Sequence, residues 1–127
     1  MPLKALLIED NENNRYLSRL LLEHAGFEVA AAADGKSGID LARREAPDVI
    51  LLDIQMPEMD GYEVAAVIKS DPVLASIPVV GVSSFAMPGD RDRALRSGFA
   101  GYIEKPVDPE RFAHSVTMFL KGAKGPS

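Results

Sequence analysis

Short unbroken apolar runs alternate along this chain with longer stretches in which apolar residues recur at helical spacing. Ala5-Leu6-Leu7-Ile8, stopped by Glu9-Asp10, predicts a strand over 4–8 buried on both faces. After a turn at 11–14, Leu17, Leu20, Leu21 and His24 recur at helical spacing, with Arg15, Arg19 and Glu23 on other faces and Gly26 as a stop. An amphipathic helix follows from that. A second strand is expected over 27–32, a turn at Asp34-Gly35, and a helix over 36–45 closed ahead of Pro47. The run 49–53 is the most strand-like of all, and Val64, Val67 and Ile68 place a helix over 62–70 that Asp71-Pro72 breaks. A fourth strand over 79–83, a short helix over 91–97 ended by Gly98, and a fifth strand over 102–104 come next. The last helix is predicted over 109–120, with Pro109 in its first turn and Phe112, Val116, Phe119 and Leu120 on one face.

This alternation implies an α/β domain, a parallel sheet with helices on both faces joined by right-handed crossovers. In such a sheet the carboxyl ends of the strands share one edge, where ligands bind. With 127 residues there is room for one domain, expected over 3–120, and the basic, Gly- and Pro-containing segment 121–127 reads as a flexible tail. Hydrophobic residues at 46% and charged residues at 26% match a folded globular domain. A net charge of -5 argues against general affinity for nucleic acid and directs attention to protein partners. The absence of cysteine excludes disulfides, thiolate metal sites and a cysteine nucleophile. The first residues lack the apolar and cleavage regions of a signal peptide, and no apolar stretch reaches membrane-spanning length, so a cytoplasmic protein without membrane contact is expected.

Three predicted strand tips carry acid, acid and base: Glu9-Asp10, Asp53 and Lys105-Pro106. Taken alone, Glu9-Asp10 fits a solvated strand end before a helix as well as a site, and Lys105 alone is an ordinary surface lysine. Together with the segment from Asp53 to Gly61 and with Ser83 at the end of another strand, they resemble the receiver domain of two-component response regulators, over essentially Leu3 to Leu120. The resemblance implies a flavodoxin-like, doubly wound five-stranded parallel sheet in the order 2-1-3-4-5 with five helices. It also implies that Asp53 accepts a phosphoryl group.

A carboxylate can attack phosphorus to form an acyl phosphate, but donor and acceptor are both anionic and the approach needs cations. Mg²⁺, a hard ion that prefers oxygen ligands, suits the acidic cluster. Asp10 and Asp53 are expected as direct ligands, Glu9 as acting through water, and the backbone carbonyl of Gln55 as a further oxygen. Lys105 adds a second positive charge, which matters because phosphoryl transfer depends on positioning and electrostatic stabilisation. By the resemblance, the Ser83 hydroxyl moves to bond the phosphoryl oxygen, Tyr102 rotates in response, and a cis bond before Pro106 aims Lys105 into the site. Arg91, Arg93, Arg96 and Tyr102 are the expected partner contacts on the surface that changes.

Some residues depart from the usual pattern or stay structural. Ser84 stands where alanine is common, and Phe85 is expected to restrict attacking water. Gln55 has two open readings, ordering water or capping the loop. Asp60-Gly61 is turn chemistry with no catalytic role, the methionines Met56, Met59 and Met87 shield the site or pack its loop, and His24 and His114 have no metal-ligand partners.

The expected function is a single-domain response regulator that takes phosphate from a histidine kinase or histidine phosphotransfer protein onto Asp53 and then acts on a downstream target protein. It would catalyse only its own phosphorylation and dephosphorylation, and would be a monomer or weak dimer. Two other readings stand beside it: an Mg²⁺-dependent phosphohydrolase of small esters, for which the chain offers no substrate-binding cap, and a receiver-like interaction domain excised from a larger protein.

Overall fold

The computed structural model describes residues 3–84, 89–105 and 107–124. The expectations for Phe85, Met87 and Pro106 lie outside these residues. Five strands, β1 (Lys4–Ile8), β2 (Glu28–Ala32), β3 (Val49–Asp53), β4 (Val79–Ser83) and β5 (Gly101–Glu104), alternate with five helices, α1 (Glu12–His24), α2 (Gly35–Glu45), α3 (Gly61–Ser70), α4 (Asp90–Arg96) and α5 (Phe112–Lys124). All strand pairs are parallel and the order is β2-β1-β3-β4-β5, the expected doubly wound sheet.

Successive strand residues point to opposite faces, so the unbroken apolar runs feed two cores. Leu6, Ile8, Ile50 and Leu52 pack with Ile39 and Ala42 of α2, Val64, Ala65 and Ile68 of α3, and Ala94 of α4. Ala5, Leu7, Val49, Leu51, Val80 and Val82 pack on the other face with Leu22 of α1 and with Phe112, Val116 and Leu120 of α5. Register sets the site's edge. Ile8 is level with Leu52, Asp53 with Val82, and Ser83 with Glu104, so the chain leaves β1, β3, β4 and β5 at neighbouring points of the carboxyl edge.

The buried face of α1 differs from the one the leucine spacing predicted. Ser18 and Leu22 are buried, whereas Leu17 is 40% and Leu20 is 49% exposed, Leu21 is half-buried and His24 is exposed. Ser18 and Leu22 are one turn apart on the same side, and the small serine lets that side lie close to the sheet. At the other end of the chain, regular helix begins at Phe112 and not at 109. Pro109 lies in a turn where Asp108 accepts from the N–H of Glu110 through Oδ1 and from Arg111 and Phe112 through its carbonyl. The helix then runs past Leu120 to Lys124, because adding a residue to a formed helix needs no new nucleus.

Candidate functional site

The β1 tip is organised by its own turn. The Glu9 N–H donates to the Ala32 carbonyl at 3.1 Å, which extends the β1–β2 pairing by one residue. Glu9 is only 3% exposed, while Asp10 is exposed. Asn11 caps α1 by accepting from the Asn14 N–H, and its own N–H donates to Glu9 Oε2 at 3.2 Å. Long helical side chains lean toward the helix N-terminus, and Arg15 does so here. Its Nη1 donates to the Glu9 carbonyl at 2.9 Å and to the Asp10 carbonyl at 3.4 Å. A guanidinium thus backs the acidic pair, a role that its place on a polar helix face did not reveal.

The β3 tip presents Asp53, 4% exposed, whose Oδ1 accepts from the Gln55 N–H at 3.1 Å. The chain then turns directly into α3. Asp60 caps that helix in a reciprocal box with Glu63, and Gly61 donates to the Ile54 carbonyl at 3.0 Å. Gly61 has no positive φ, so glycine is needed here for closeness and not for a turn conformation. A Cβ would lie 2.7 Å from Ile54 Cα and 2.9 Å from the Asp53 carbonyl oxygen, both rigid backbone atoms. That close approach fixes where the Asp53 loop can go.

From the far strand, Lys105 donates its N–H to the Ser83 carbonyl at 2.7 Å and reaches back across the edge. Its Nζ lies 2.6 Å from Glu9 Oε1 and 3.3 Å from Asp53 Oδ2. Carboxylate oxygens of Glu9, Asp10 and Asp53 lie within 4.8 Å of one another. Ser83, almost fully buried, accepts from Gln55 Nε2 at 2.6 Å, and Gln55 Oε1 accepts from the Ser84 N–H at 3.0 Å. The structure therefore joins Glu9, Asp10, Asp53, Gln55, Ser83 and Lys105, drawn from four strand ends.

The electrostatics follow from this crowding. Asp53 is pushed up from 3.8 to about 7, first by burial and then by the hydrogen bond and negative charge of Glu9, with Lys105 opposing. One ammonium does not offset this concentration of acid. The clustered donors of Glu9, Asp10 and Asp53 are all carboxylate oxygens, which fits a hard divalent ion of the Mg²⁺ kind and not a thiolate- or imidazole-loving one.

Other residues singled out in the sequence sit around this centre. Tyr102 is 4% exposed, so it is packed inside and only the arginines of the expected contact group stand on the surface. Arg91 and Arg96 are exposed, and Arg93 is placed over the Tyr62 ring with its guanidinium carbon 4.0 Å from the centroid. Tyr62 in turn meets Phe99 edge to face. A cavity of about 380 Å³ is lined by Gln55, Tyr62, Ser83, Asp90, Arg93 and Tyr102 among others. Met56 is core and Met59 packs against it, so both pack the loop. His24 and His114 are exposed. A second, open groove of about 390 Å³, lined by Asn14, Leu17, Ser18, Ser84, Lys105 and Val107, borders the site from the α1 side. Leucine periodicity does not reveal it, because the spacing puts Leu17 on the apolar face of α1.

Comparison with known proteins adds an independent line. The model of the response regulator receiver domain matches residues 5–117. The polar-differentiation response regulator DivK of Brucella anthropi is 42% identical over 123 residues, which are 97% of this chain and 100% of the relative. Among solved structures, the chemotaxis protein CheY4 of Vibrio cholerae superposes with a TM-score of 0.88 at 26% identity, covering 94% of this chain and 99% of that one. The signal receiver domain of a signal transduction histidine kinase from Syntrophus aciditrophicus has a TM-score of 0.84 at 30% identity, covering 98% and 95%.

Proposed function

The chain belongs to the response regulator receiver family, and from that premise we propose that Asp53 accepts a phosphoryl group in an Mg²⁺-dependent transfer from a histidine kinase or histidine phosphotransfer protein. The observation that carries this reading is the meeting of Glu9, Asp10 and Asp53 within 4.8 Å, with the Lys105 ammonium against two of them. In the reaction an Asp53 carboxylate oxygen bonds to phosphorus while the phosphorus–nitrogen bond to the donor histidine breaks, the imidazole leaving with the bonding pair. Asp53 must be ionised to attack, so the positive charge that opposes its raised pKa is also what readies it.

Asp10, Asp53 and the Gln55 carbonyl would hold the ion. Glu9 suits a place behind a water, because its two oxygens are already taken by Lys105 and by the Asn11 N–H. When bound, Mg²⁺ offsets the charge on the phosphoryl oxygens. Lys105 does the same from the opposite side and orients the group. The open groove beside Lys105, with Leu17 and Val107 in its wall, gives the donor a surface to lie on while its histidine reaches Asp53.

Output passes through contacts that exist only in the phosphorylated form, which shift the population of states. Ser83 would donate to a phosphoryl oxygen, and the α4 face carrying Arg91, Arg93 and Arg96 is the surface a downstream protein would read. The test is intact mass after incubation with acetyl phosphate and Mg²⁺. A single added phosphate, absent without metal and absent in Asp53→Asn, is expected; a gain that persists in Asp53→Asn would refute the assignment, and turnover of the ester in excess over protein would favour a phosphohydrolase.

A further inference from the structure

The Gln55 side chain spans the gap between the β3 tip and the β4 tip. Its Oε1 accepts from the Ser84 N–H at 3.0 Å and its Nε2 lies 2.6 Å from Ser83 Oγ, while the Gln55 backbone N–H donates to Asp53 Oδ1 at 3.1 Å. A backbone N–H can only donate, so the oxygen end of the amide must face Ser84 and the nitrogen end must face Ser83. The direction of the second bond is thereby decided. Ser83 Oγ accepts from Gln55, and its own hydrogen points away from Gln55. A phosphoryl oxygen on Asp53 is an acceptor and needs that hydrogen.

We infer that the Gln55 side chain is a positioning residue that sets the direction of the Ser83 hydroxyl, so that Ser83 donates toward a phosphoryl group on Asp53. The inference rests on the reading of Asp53 as phosphoacceptor. A donor chain of this kind also strengthens its terminal bond, since each hydrogen bond polarises the next. Both ends of the Gln55 amide are engaged by protein groups, one of them the Ser83 hydroxyl.

Gln55→Glu separates this role from loop capping. The substitution keeps the shape and keeps an acceptor for Ser84, but it presents a carboxylate oxygen to Ser83, which must then turn its hydrogen toward residue 55. The experiment is a double-mutant cycle with Ser83→Ala. It measures the affinity for beryllofluoride, an acyl-phosphate analogue, at saturating Mg²⁺. Gln55→Glu is expected to weaken binding about tenfold when Ser83 is present, the worth of one hydrogen bond to a charged group. In the Ser83→Ala background the same change is expected to cost under about twofold. Equal weakening in both backgrounds would assign the effect to added charge near Asp53 and overturn the inference. The uncharged Gln55→Met gives a second readout: the Ser84 amide proton signal should move upfield as its acceptor is lost, and an unmoved signal would overturn the inference too. Failure of the parent reading looks different, because the wild-type protein would then bind no beryllofluoride and gain no phosphate from acetyl phosphate.

Discussion

Lys105 lies closer to Glu9 than to Asp53, with Nζ–oxygen distances of 2.6 and 3.3 Å. The lysine therefore forms its tighter pair with Glu9 and leans on the proposed phosphoacceptor. Such an arrangement keeps the ammonium in place whether or not Asp53 carries a charge. Lys105→Met should remove the positive charge that opposes the rise at Asp53 and drive its pKa higher still, by about one unit or more. Carbon-13 titration of the Asp53 carboxyl checks this, and an unchanged titration would mean that the lysine acts elsewhere.

The same crowding makes stability depend on pH. The folded-state pKa of Asp53, about 7, lies above the ordinary 3.8, so between these values the folded protein keeps a proton that the unfolded chain has released. The stabilisation from this group is fully present below about pH 4 and is lost as pH rises through about 7, with a slope of up to about 1.4 kcal/mol per pH unit in between. In metal-free buffer, the wild-type protein should lose stability relative to Asp53→Asn between pH 4 and 7, and the mutant should be the more stable at pH 8. Chemical denaturation of both proteins across this range is the check; parallel curves would contradict the picture of a carboxylate forced to hold a proton.

Mg²⁺ should act in the opposite direction. Because protons and metal compete for Asp53, the rise in Tm on adding Mg²⁺ is expected to be larger at pH 8 than at pH 5.5. Thermal melts at fixed ion concentration measure it. Equal shifts at both pH values would mean that the ion binds away from Asp53.

Arg15 offers a prediction from behind the acidic pair. Its guanidinium holds the Glu9 and Asp10 carbonyls without touching any reacting atom. Groups that orient metal ligands typically matter about tenfold or more in metal affinity. Arg15→Ala should weaken Mg²⁺ binding on that scale, measured by amide shifts of residues 9 to 11, while the signals of Ser83 and Ser84 in the metal-free protein stay where they were.

Gly61 provides a test of packing. Gly61→Ala would place a methyl group against Ile54 Cα and the Asp53 carbonyl, and overpacking of this kind costs about 1–3 kcal/mol. A loss of stability on that scale should come with moved signals for Asp53 and Gln55. A silent substitution would show that the β3–α3 turn has slack.

How much could be read in the sequence depended on the kind of signal. The runs ending at Ile8, Asp53 and Ser83 are strands buried on both faces, for which a mostly apolar run is a direct consequence of burial, and the polar or charged residues at the strand ends marked the site's edge. Helix α1 was harder. Four residues at helical spacing, Leu17, Leu20, Leu21 and His24, suggested a face, yet the helix rests on Ser18 and Leu22. Periodicity gives the angular width of an apolar stripe but cannot say which edge of it meets the sheet when a small polar residue can also be buried. Arg15 carried no signal, and the Gln55 amide kept two readings, for a different reason: each hydrogen-bonds groups that only the folded chain brings near.

Where the phosphoryl group attaches can be read directly by treating the phosphorylated protein with borohydride, which reduces an acyl phosphate to the alcohol, and sequencing the peptides by mass spectrometry. Homoserine at position 53, formed only when Mg²⁺ and acetyl phosphate were both present, is the predicted result. Reduction at Asp10, at Glu9 or at no carboxylate of this cluster would contradict it.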